Sequence, residues 1–138
     1  MKTKTVEVRR VIDGDTLAVW DGEELERIRL AHIDAPENGQ PFCREARVFL
    51  QEQIAGRPVI IAWNETDRYG RKICEVMNHI QVNINIMMIK TGNAWAKEYR
   101  GKREDLKEIE EQARREGKGL FAELNPIRPW QYRKRITR

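Results

Sequence analysis

The chain has 138 residues, of which 40% are hydrophobic and 35% are charged, a composition typical of one domain with a polar surface. It has no apolar run of the roughly 20 residues that a membrane helix needs, and no apolar stretch near the N-terminus that would indicate a signal peptide. We therefore expect no membrane insertion, and either a cytoplasmic protein or one secreted after removal of a signal. The two cysteines, Cys43 and Cys74, are too few for a disulfide framework or a zinc site, and we interpret them as buried or half-buried thiols.

The net charge of +4 comes from the C-terminal end of the chain. The segment 127–138 holds five cations and no acid, so the rest of the chain is close to neutral. Basic segments attract polyanions, most often nucleic acid, but a solvated tail that aids solubility has the same composition. Trp130 and Tyr132 favour contact, either with a ligand or with the domain itself. We therefore divide the chain into a domain at 1–125 and a basic tail at 126–138.

The first third of the chain predicts three β-strands joined by tight turns. Residues 6–11 alternate imperfectly between apolar and polar side chains. The run Thr16–Trp20 precedes Asp21-Gly22, and an Asp-Gly pair between strand-like runs is a strong hairpin signal. A third strand at 25–33 mixes apolar and charged residues on both faces, as in a closed or strongly coiled sheet.

The middle of the chain predicts one helix and a second β-hairpin. Pro36 and Gly39 end the strand signal, and apolar residues then recur at helical spacing over 42–50 until a glycine stops the helix. Two strands follow, at 58–63 and 72–77, on either side of a turn.

Two further helices are expected near the C-terminus. Asn83 or Asn85 caps the first of them. The second covers about 103–116, with one apolar stripe and an exposed i,i+4 pair, Glu110–Arg114. Five short strands with an inserted helix predict a mainly β, α+β fold: a five-stranded OB-fold Greek-key barrel with three helices packed on it. A ferredoxin-like sheet is the main alternative, and it would require helices earlier in the chain.

Two aspartates beside tight turns are candidates for binding a hard divalent cation. Asp15 belongs to Asp13-Gly14-Asp15-Thr16, and Asp34 comes just before Ala35 and Pro36. Ca²⁺ takes about 6–8 oxygen ligands from carboxylates, backbone carbonyls and water. Pro36 restricts the backbone near Ala35, so that a carbonyl there can be aimed at a cation. No histidine or cysteine accompanies the two acids, which argues against zinc, but the same Asp-Gly pattern is also common in ordinary turns.

Two arginines and one glutamate supply the other groups that phosphoryl transfer requires. Arg29 lies within the third predicted strand and Arg71 in the turn of the second hairpin, and arginine binds phosphate through paired hydrogen bonds. Glu37 lies in a loop, where a carboxylate can orient water or accept its proton. Each residue also has a plain interpretation as a surface charge. Only their combination with the candidate metal ligands indicates a phosphodiesterase.

Three motifs in order resemble the signatures of the staphylococcal-nuclease-like (thermonuclease) family. They are Ile12-Asp13-Gly14-Asp15-Thr16, the stretch 29–37, and Asp67-Arg68-Tyr69-Gly70-Arg71. The resemblance extends over about 5–121. It implies an OB-fold barrel that hydrolyses DNA and RNA with Ca²⁺ as its cofactor.

The resemblance also implies roles for the residues at matching positions. Asp15, Asp34 and the carbonyl group of Ala35 would be the metal ligands. Arg29 and Arg71 would bind the scissile phosphate and offset the charge of the transition state. The remaining catalytic group, acting as general base or orienting the water, would be Glu37.

Other matching residues would assist in substrate binding or in holding the ligands. Tyr69 and Arg68 would contact a neighbouring phosphate, and Tyr99 would stack on a base. Two polar residues would support the metal ligands: Asp13 and Thr16. The loop at 38–44 is shorter than in the best-known member of the family, which leaves the choice between endonuclease and exonuclease open.

Two other functions remain open at this stage. OB barrels also bind single strands through basic grooves and aromatic rings, so a nucleic-acid-binding module with an inactive site is the alternative. Such a module is expected to lack part of the catalytic set, and this chain retains it. A purely structural protein would require three coincidental motifs. We expect DNA or RNA as the partner, no membrane contact and a monomer.

Overall fold

A closed β-barrel of five strands forms the centre of the protein in the computed structural model, which describes residues 1–98 and 103–136. The strands are β1 (Lys2–Asp13), β2 (Thr16–Trp20), β3 (Leu25–Leu30), β4 (Ile33–Asp34), β5 (Pro58–Thr66), β6 (Lys72–Met77) and β7 (Trp95–Ala96). The barrel has the order β1-β2-β3-β6-β5, with β3 and β6 parallel and the other pairs antiparallel. Strands β4 and β7 pair with each other in a second, two-stranded sheet. The predicted OB-type barrel is confirmed.

Strand β1 is long enough to pair on both sides, and it thereby closes the barrel. Residues 2–7 pair with β5, and residues 7–13 pair with β2. The register against β2 shifts twice, as at β-bulges, which bend a strand and increase its twist. These shifts explain the imperfect alternation in the sequence, and the second of them occurs just before Asp13.

The barrel interior is filled by aliphatic side chains that are almost completely buried. The largest of them on the barrel strands are Leu17, Val19, Ile28, Leu30 and Ile61. Burying one such side chain contributes about 1.5–3 kcal/mol. Both cysteines are free thiols, as expected, and burial raises the pKa of Cys74 to about 12. The core therefore contains no reactive thiolate at neutral pH.

Four α-helices surround the barrel within the described residues, one more than the sequence predicts. They are α1 (Cys43–Ile54), α2 (Ile84–Lys90), α3 (Glu104–Arg115) and α4 (Pro129–Ile136). Asn83 rather than Asn85 caps α2, since its side chain accepts a hydrogen bond from the N–H of Ile86. Asn85 is buried, and its amide bonds backbone groups of β6 and of the chain after β3. No helix in the described part of the chain is long and apolar enough to cross a membrane.

Two local features differ from the sequence-based expectations. Strand β3 ends at Leu30 rather than at residue 33, because His32 has a φ of 63°, which lies in the left-handed region. Glu110 is only 9% exposed and does not lie on the exposed face of α3. Its Oε1 accepts a hydrogen bond of 2.8 Å from the N–H of Ala96 in β7, a partner that helical periodicity cannot show.

The basic tail packs against the domain through α4. Trp130 contacts a small apolar cluster outside the barrel interior, which includes Trp95 and Phe121. The side chain of Gln40, 5% exposed, donates a hydrogen bond of 2.6 Å to the carbonyl oxygen of Ile127. Of the two interpretations of the tail aromatics, the described residues therefore show contact with the domain. This docking brings Arg133 of α4 close to Glu37 in the loop that follows β4.

Candidate active site

A cleft of ≈ 460 Å³ opens at one end of the barrel, where the ends of β1, β3 and β4 meet the turn between β5 and β6. It gathers residues that are far apart in the sequence. The predicted site residues that line it are Asp13, Asp15, Thr16, Arg29, Asp34, Glu37, Arg68, Tyr69 and Arg71. Ala35 lies just beneath, 1% exposed, and Tyr99 is outside the described residues. We call this space the site cleft.

Asp15 is held at the turn between β1 and β2 by two hydrogen bonds. Its Oδ2 accepts from the N–H of Ala35, and its Oδ1 accepts from the hydroxyl of Thr16, both at 2.9 Å. The turn requires Gly14, because a Cβ there would lie 2.8 Å from the Cβ of Ala35 and 3.1 Å from that of Ala46. The Asp-Gly-Asp motif therefore allows β4 and α1 to pack closely against the turn.

Asp34 is a fully buried carboxylate that contacts three cations. Its Oδ2 lies 2.8 Å from Nη2 of Arg133 and 3.5 Å from Nζ of Lys97, and its Oδ1 lies 3.3 Å from Nη2 of Arg29. The side chain is only 1% exposed. A buried charge is tolerated only when it is paired, and these three cations provide the pairing.

Arg29 lies between the two aspartates and is anchored by the backbone. Its Nη1 donates to the carbonyl oxygens of Leu30 and Ile33, at 2.7 and 2.9 Å. Its Nη2 lies 3.4 Å from Oδ2 of Asp15 and 3.3 Å from Oδ1 of Asp34. The plain interpretation of Arg29 as a surface charge is wrong, because its partners line the site cleft. One positive group thus already occupies the space between two carboxylates.

Glu37 lies at the rim of the site cleft, with its side chain 33% exposed. Its backbone N–H donates to Oε1 of Gln40 at 2.9 Å, which fixes the loop. Its carboxylate accepts a hydrogen bond from Nη1 of Arg133. The side chain is therefore partly accessible to solvent while it lines the cleft.

The turn between β5 and β6 presents Arg71 and Tyr69 to the same cleft. Nε of Arg71 donates to Oδ2 of Asp67 at 2.8 Å, and the guanidinium of Arg68 stacks on the Tyr69 ring at 4.9 Å. Burial opposes ionisation of Asp67, but hydrogen bonds from Arg71 and from the Tyr69 backbone outweigh it and lower its pKa. Tyr69 is 68% exposed. The turn therefore offers cations and one aromatic face toward solvent.

Asp13 is expected to destabilise the metal-free protein at neutral pH. Burial, reinforced by the charges of Asp15 and Glu37, raises the pKa of the Asp13 carboxyl above its ordinary value of 3.8. A carboxyl with a higher pKa in the folded state destabilises that state above its unfolded pKa and has little effect below it. Asp13→Asn should therefore raise the melting temperature in EDTA at about pH 7, and this gain should vanish at about pH 3.

Thermal unfolding at both pH values measures this effect. Glu52→Gln, which neutralises an exposed acid of α1, is the matched control and should change little at either pH. A lower melting temperature of the Asp13 variant at neutral pH would contradict the prediction.

The sequence did not predict the contacts that Gln40, Lys97 and Arg133 make with residues of the site. Lys97 follows β7, whose pairing with β4 places Trp95 opposite Asp34, and no motif marks it. Arg133 belongs to the basic tail, where Trp130 and Tyr132 were a signal that the segment contacts something. These two aromatic residues did not indicate that the segment would contact the site.

A second acidic cluster lies at the turn between β2 and β3 and consists of Asp21, Glu24 and Glu26. Nζ of Lys4 lies 2.9 Å from Asp21 and 2.7 Å from Glu26, and Lys72 also pairs with Glu26. The two lysines pair with Asp21 and Glu26, and these four residues form an ion-pair network on the barrel wall.

The fold and the cleft together define an OB-type barrel protein with carboxylates and guanidinium groups gathered at one end. The model of the staphylococcal nuclease homologue family matches residues 27–123, and the chain belongs to this family. The resemblance recognised from the three motifs is confirmed. The matched segment includes Arg29, Asp34, Glu37 and Arg71 but ends before α4.

The chain is similar to several bacterial proteins over most of its length. It is 40% identical to the micrococcal nuclease of Shigella flexneri, covering 93% of this chain and 79% of that protein. It is 36% identical to an uncharacterized endonuclease of Escherichia coli O157:H7, covering 93% and 84%. It is 37% identical to an uncharacterized endonuclease of Haemophilus influenzae, covering 94% and 73%.

Proposed function

We propose that this protein is a calcium-dependent nuclease that hydrolyses phosphodiester bonds in DNA, RNA or both. The observation that carries the proposal is the grouping of Asp15, Asp34, Arg29, Glu37 and Arg71 around one cleft. The family of the chain and the names of its relatives support it. All five residues stand at the positions to which the family resemblance assigns catalytic or metal-binding roles.

The donor set of the cleft fits a hard cation. Asp15 and Asp34 both reach one nitrogen of Arg29, so their carboxylates are close enough to share a positive group. With the carbonyl of Ala35 and water, they would form an all-oxygen set of the kind that Ca²⁺ prefers. A bound Ca²⁺ would polarise a phosphoryl oxygen and offset negative charge that develops during hydrolysis.

The two arginines are proposed to bind the scissile phosphate from opposite sides. Arg29 is pre-oriented by two backbone carbonyls and therefore loses little side-chain freedom when it binds an anion. Arg71 is paired with Asp67 and would exchange that carboxylate for the phosphate. The hydrogen bonds from these arginines to the phosphate would be strongest in the transition state, where the charge on the phosphoryl oxygens is greatest.

Glu37 is proposed to take the proton from the attacking water at a carboxylate oxygen, or to orient that water. It is the acid of the cleft rim whose side chain combines partial exposure with a fixed loop backbone. Tyr69 and Arg68 are proposed to contact a neighbouring phosphate, because both project from the turn beside the cleft. Tyr99 as a base-stacking residue and Thr16 as support for Asp15 complete the proposed site.

A cleavage assay tests the proposal. With about 1 mM Ca²⁺, in the range of weak calcium sites, the purified protein should degrade circular plasmid DNA or a folded RNA. EDTA should abolish the reaction. A circular plasmid has no ends, so its loss also reports endonuclease activity. Arg9→Gln changes an exposed residue of β1 that pairs with Glu7 at 3.5 Å and lies over the Trp20 ring, away from the residues of the cleft. This variant should retain full activity.

The same assay separates the alternatives. Equal cleavage in EDTA would contradict the calcium requirement. A mobility shift of the nucleic acid without any cleavage would contradict the nuclease and favour a binding module instead.

A further inference from the structure

Helix α4 contributes a cation to the site cleft that the family match does not include. Nη2 of Arg133 lies 2.8 Å from Oδ2 of Asp34, and Nη1 lies 3.4 Å from Oδ1 of the same carboxylate. Nη1 also donates to Oε1 of Glu37. One guanidinium thus bridges the proposed metal ligand and the proposed water-binding carboxylate.

A divalent cation cannot join Asp34 while all its present partners remain. The carboxylate is surrounded by Arg29, Lys97 and Arg133, and its oxygens face these donors. A metal ion needs the same lone pairs, and it repels every positive group within a few ångströms. Binding of the metal therefore requires that at least one of the three cations withdraws.

Of the three cations that contact Asp34, Arg133 makes the shortest contact and can also leave most easily. Arg29 is held by two backbone carbonyls and is only 15% exposed. Lys97 makes the longest of the three contacts, at 3.5 Å, so its withdrawal would release little of Asp34. Arg133 is 35% exposed and already contacts a second acid, Glu37, so it can leave Asp34 and remain paired.

We propose that Arg133 is a positioning residue that exchanges partners during the catalytic cycle. It neutralises Asp34 before the metal binds, gives up this carboxylate to the metal, and then holds Glu37 at the reacting phosphate. The inference rests on the metal site of the proposed function. It assigns to α4 a role in metal affinity and in turnover.

Calorimetric titration of the full-length, metal-free protein with CaCl₂ is the first test. Arg133→Gln removes the competing charge and should bind Ca²⁺ about three- to tenfold more tightly than the wild type. Arg135→Gln makes the same charge change at an exposed position of α4 and should stay within about twofold, the difference expected from a screened charge. Unchanged or weaker binding by Arg133→Gln would overturn the proposal, since Arg133 would then only support the ligand.

Turnover at saturating Ca²⁺ is the second test. Arg133→Gln should lower kcat about tenfold or more with little change in KM, because Glu37 loses the partner that orients it. Arg133→Lys keeps the charge without the two-pronged geometry, so it should restore wild-type Ca²⁺ affinity and only part of the turnover. Wild-type kcat in Arg133→Gln would overturn the positioning role, and thermal unfolding in EDTA checks that each variant is folded.

These measurements separate the two proposals. A wild-type protein that binds no Ca²⁺ would contradict the proposed calcium site itself. A wild-type protein that binds Ca²⁺ with the same affinity as Arg133→Gln would contradict the partner exchange alone.

Discussion

Arg29→Lys is expected to reduce the turnover of nucleic acid about 10²–10³-fold while the protein stays folded. The guanidinium uses one nitrogen to bond the carbonyl oxygens of Leu30 and Ile33, and the other to approach Asp15 and Asp34. An ammonium group carries the same charge on a single nitrogen. It cannot keep these anchors and also present two parallel donors to a phosphate.

Arg27 provides a matched control, because it lies two positions earlier in the same strand and is exposed. Arg27→Lys should leave kcat within about twofold, as for surface substitutions in general. Arg29→Ala should in addition lose about 3–5 kcal/mol of unfolding free energy in EDTA, since it leaves the buried carboxylate of Asp15 without its described ion-pair partner. Steady-state kinetics and denaturant unfolding measure both effects, and undiminished turnover by Arg29→Lys would contradict the assigned role.

The other large effect is expected at Glu37. Glu37→Gln should lower kcat about 10²–10⁴-fold, the usual range for loss of a general base. The amide is nearly the same size and can still accept a hydrogen bond from Arg133, but it cannot take a proton from water. Binding of Ca²⁺ should change much less, because the proposed ligands are Asp15, Asp34 and the Ala35 carbonyl.

Parallel measurements of kcat and of the Ca²⁺ dissociation constant test this separation. Glu52→Gln in α1 makes the same chemical change at an exposed position and should be fully active. If Glu37→Gln cleaved at the wild-type rate, the water would have to be activated elsewhere.

The barrel was predictable from the sequence because its signals are local. The Asp21-Gly22 turn and the turn at 67–71 each indicate a hairpin, and the apolar run at 58–63 indicates a strand, without reference to the rest of the chain. Asp15 and Asp34 could be recognised for the same reason, since Gly14 and Pro36 restrict the backbone of the turns in which the two aspartates lie. That the two aspartates lie close together depends on how the strands pair, which local sequence signals do not give.

The parts that could not be predicted depend on contacts between distant segments. Lys97 and Arg133 reach Asp34 from positions 63 and 99 residues away. Glu110 has the spacing of an exposed helical residue, but the short strand β7 leaves the N–H of Ala96 for it to bond. A carboxylate in a helix has the same sequence pattern whether it faces water or a strand edge.

The docking of α4 has a consequence for the order in which the protein is assembled. The barrel strands all lie within residues 2–77, so the barrel can close around its core while the last helix is still being synthesised. Chains emerge from the ribosome at about 5–20 residues per second, and the N-terminal part can begin to fold first. In a barrel that closes before α4 is synthesised, Asp34 lacks its contact with Arg133. The cleft of such a nascent barrel is therefore more negative than that of the finished molecule.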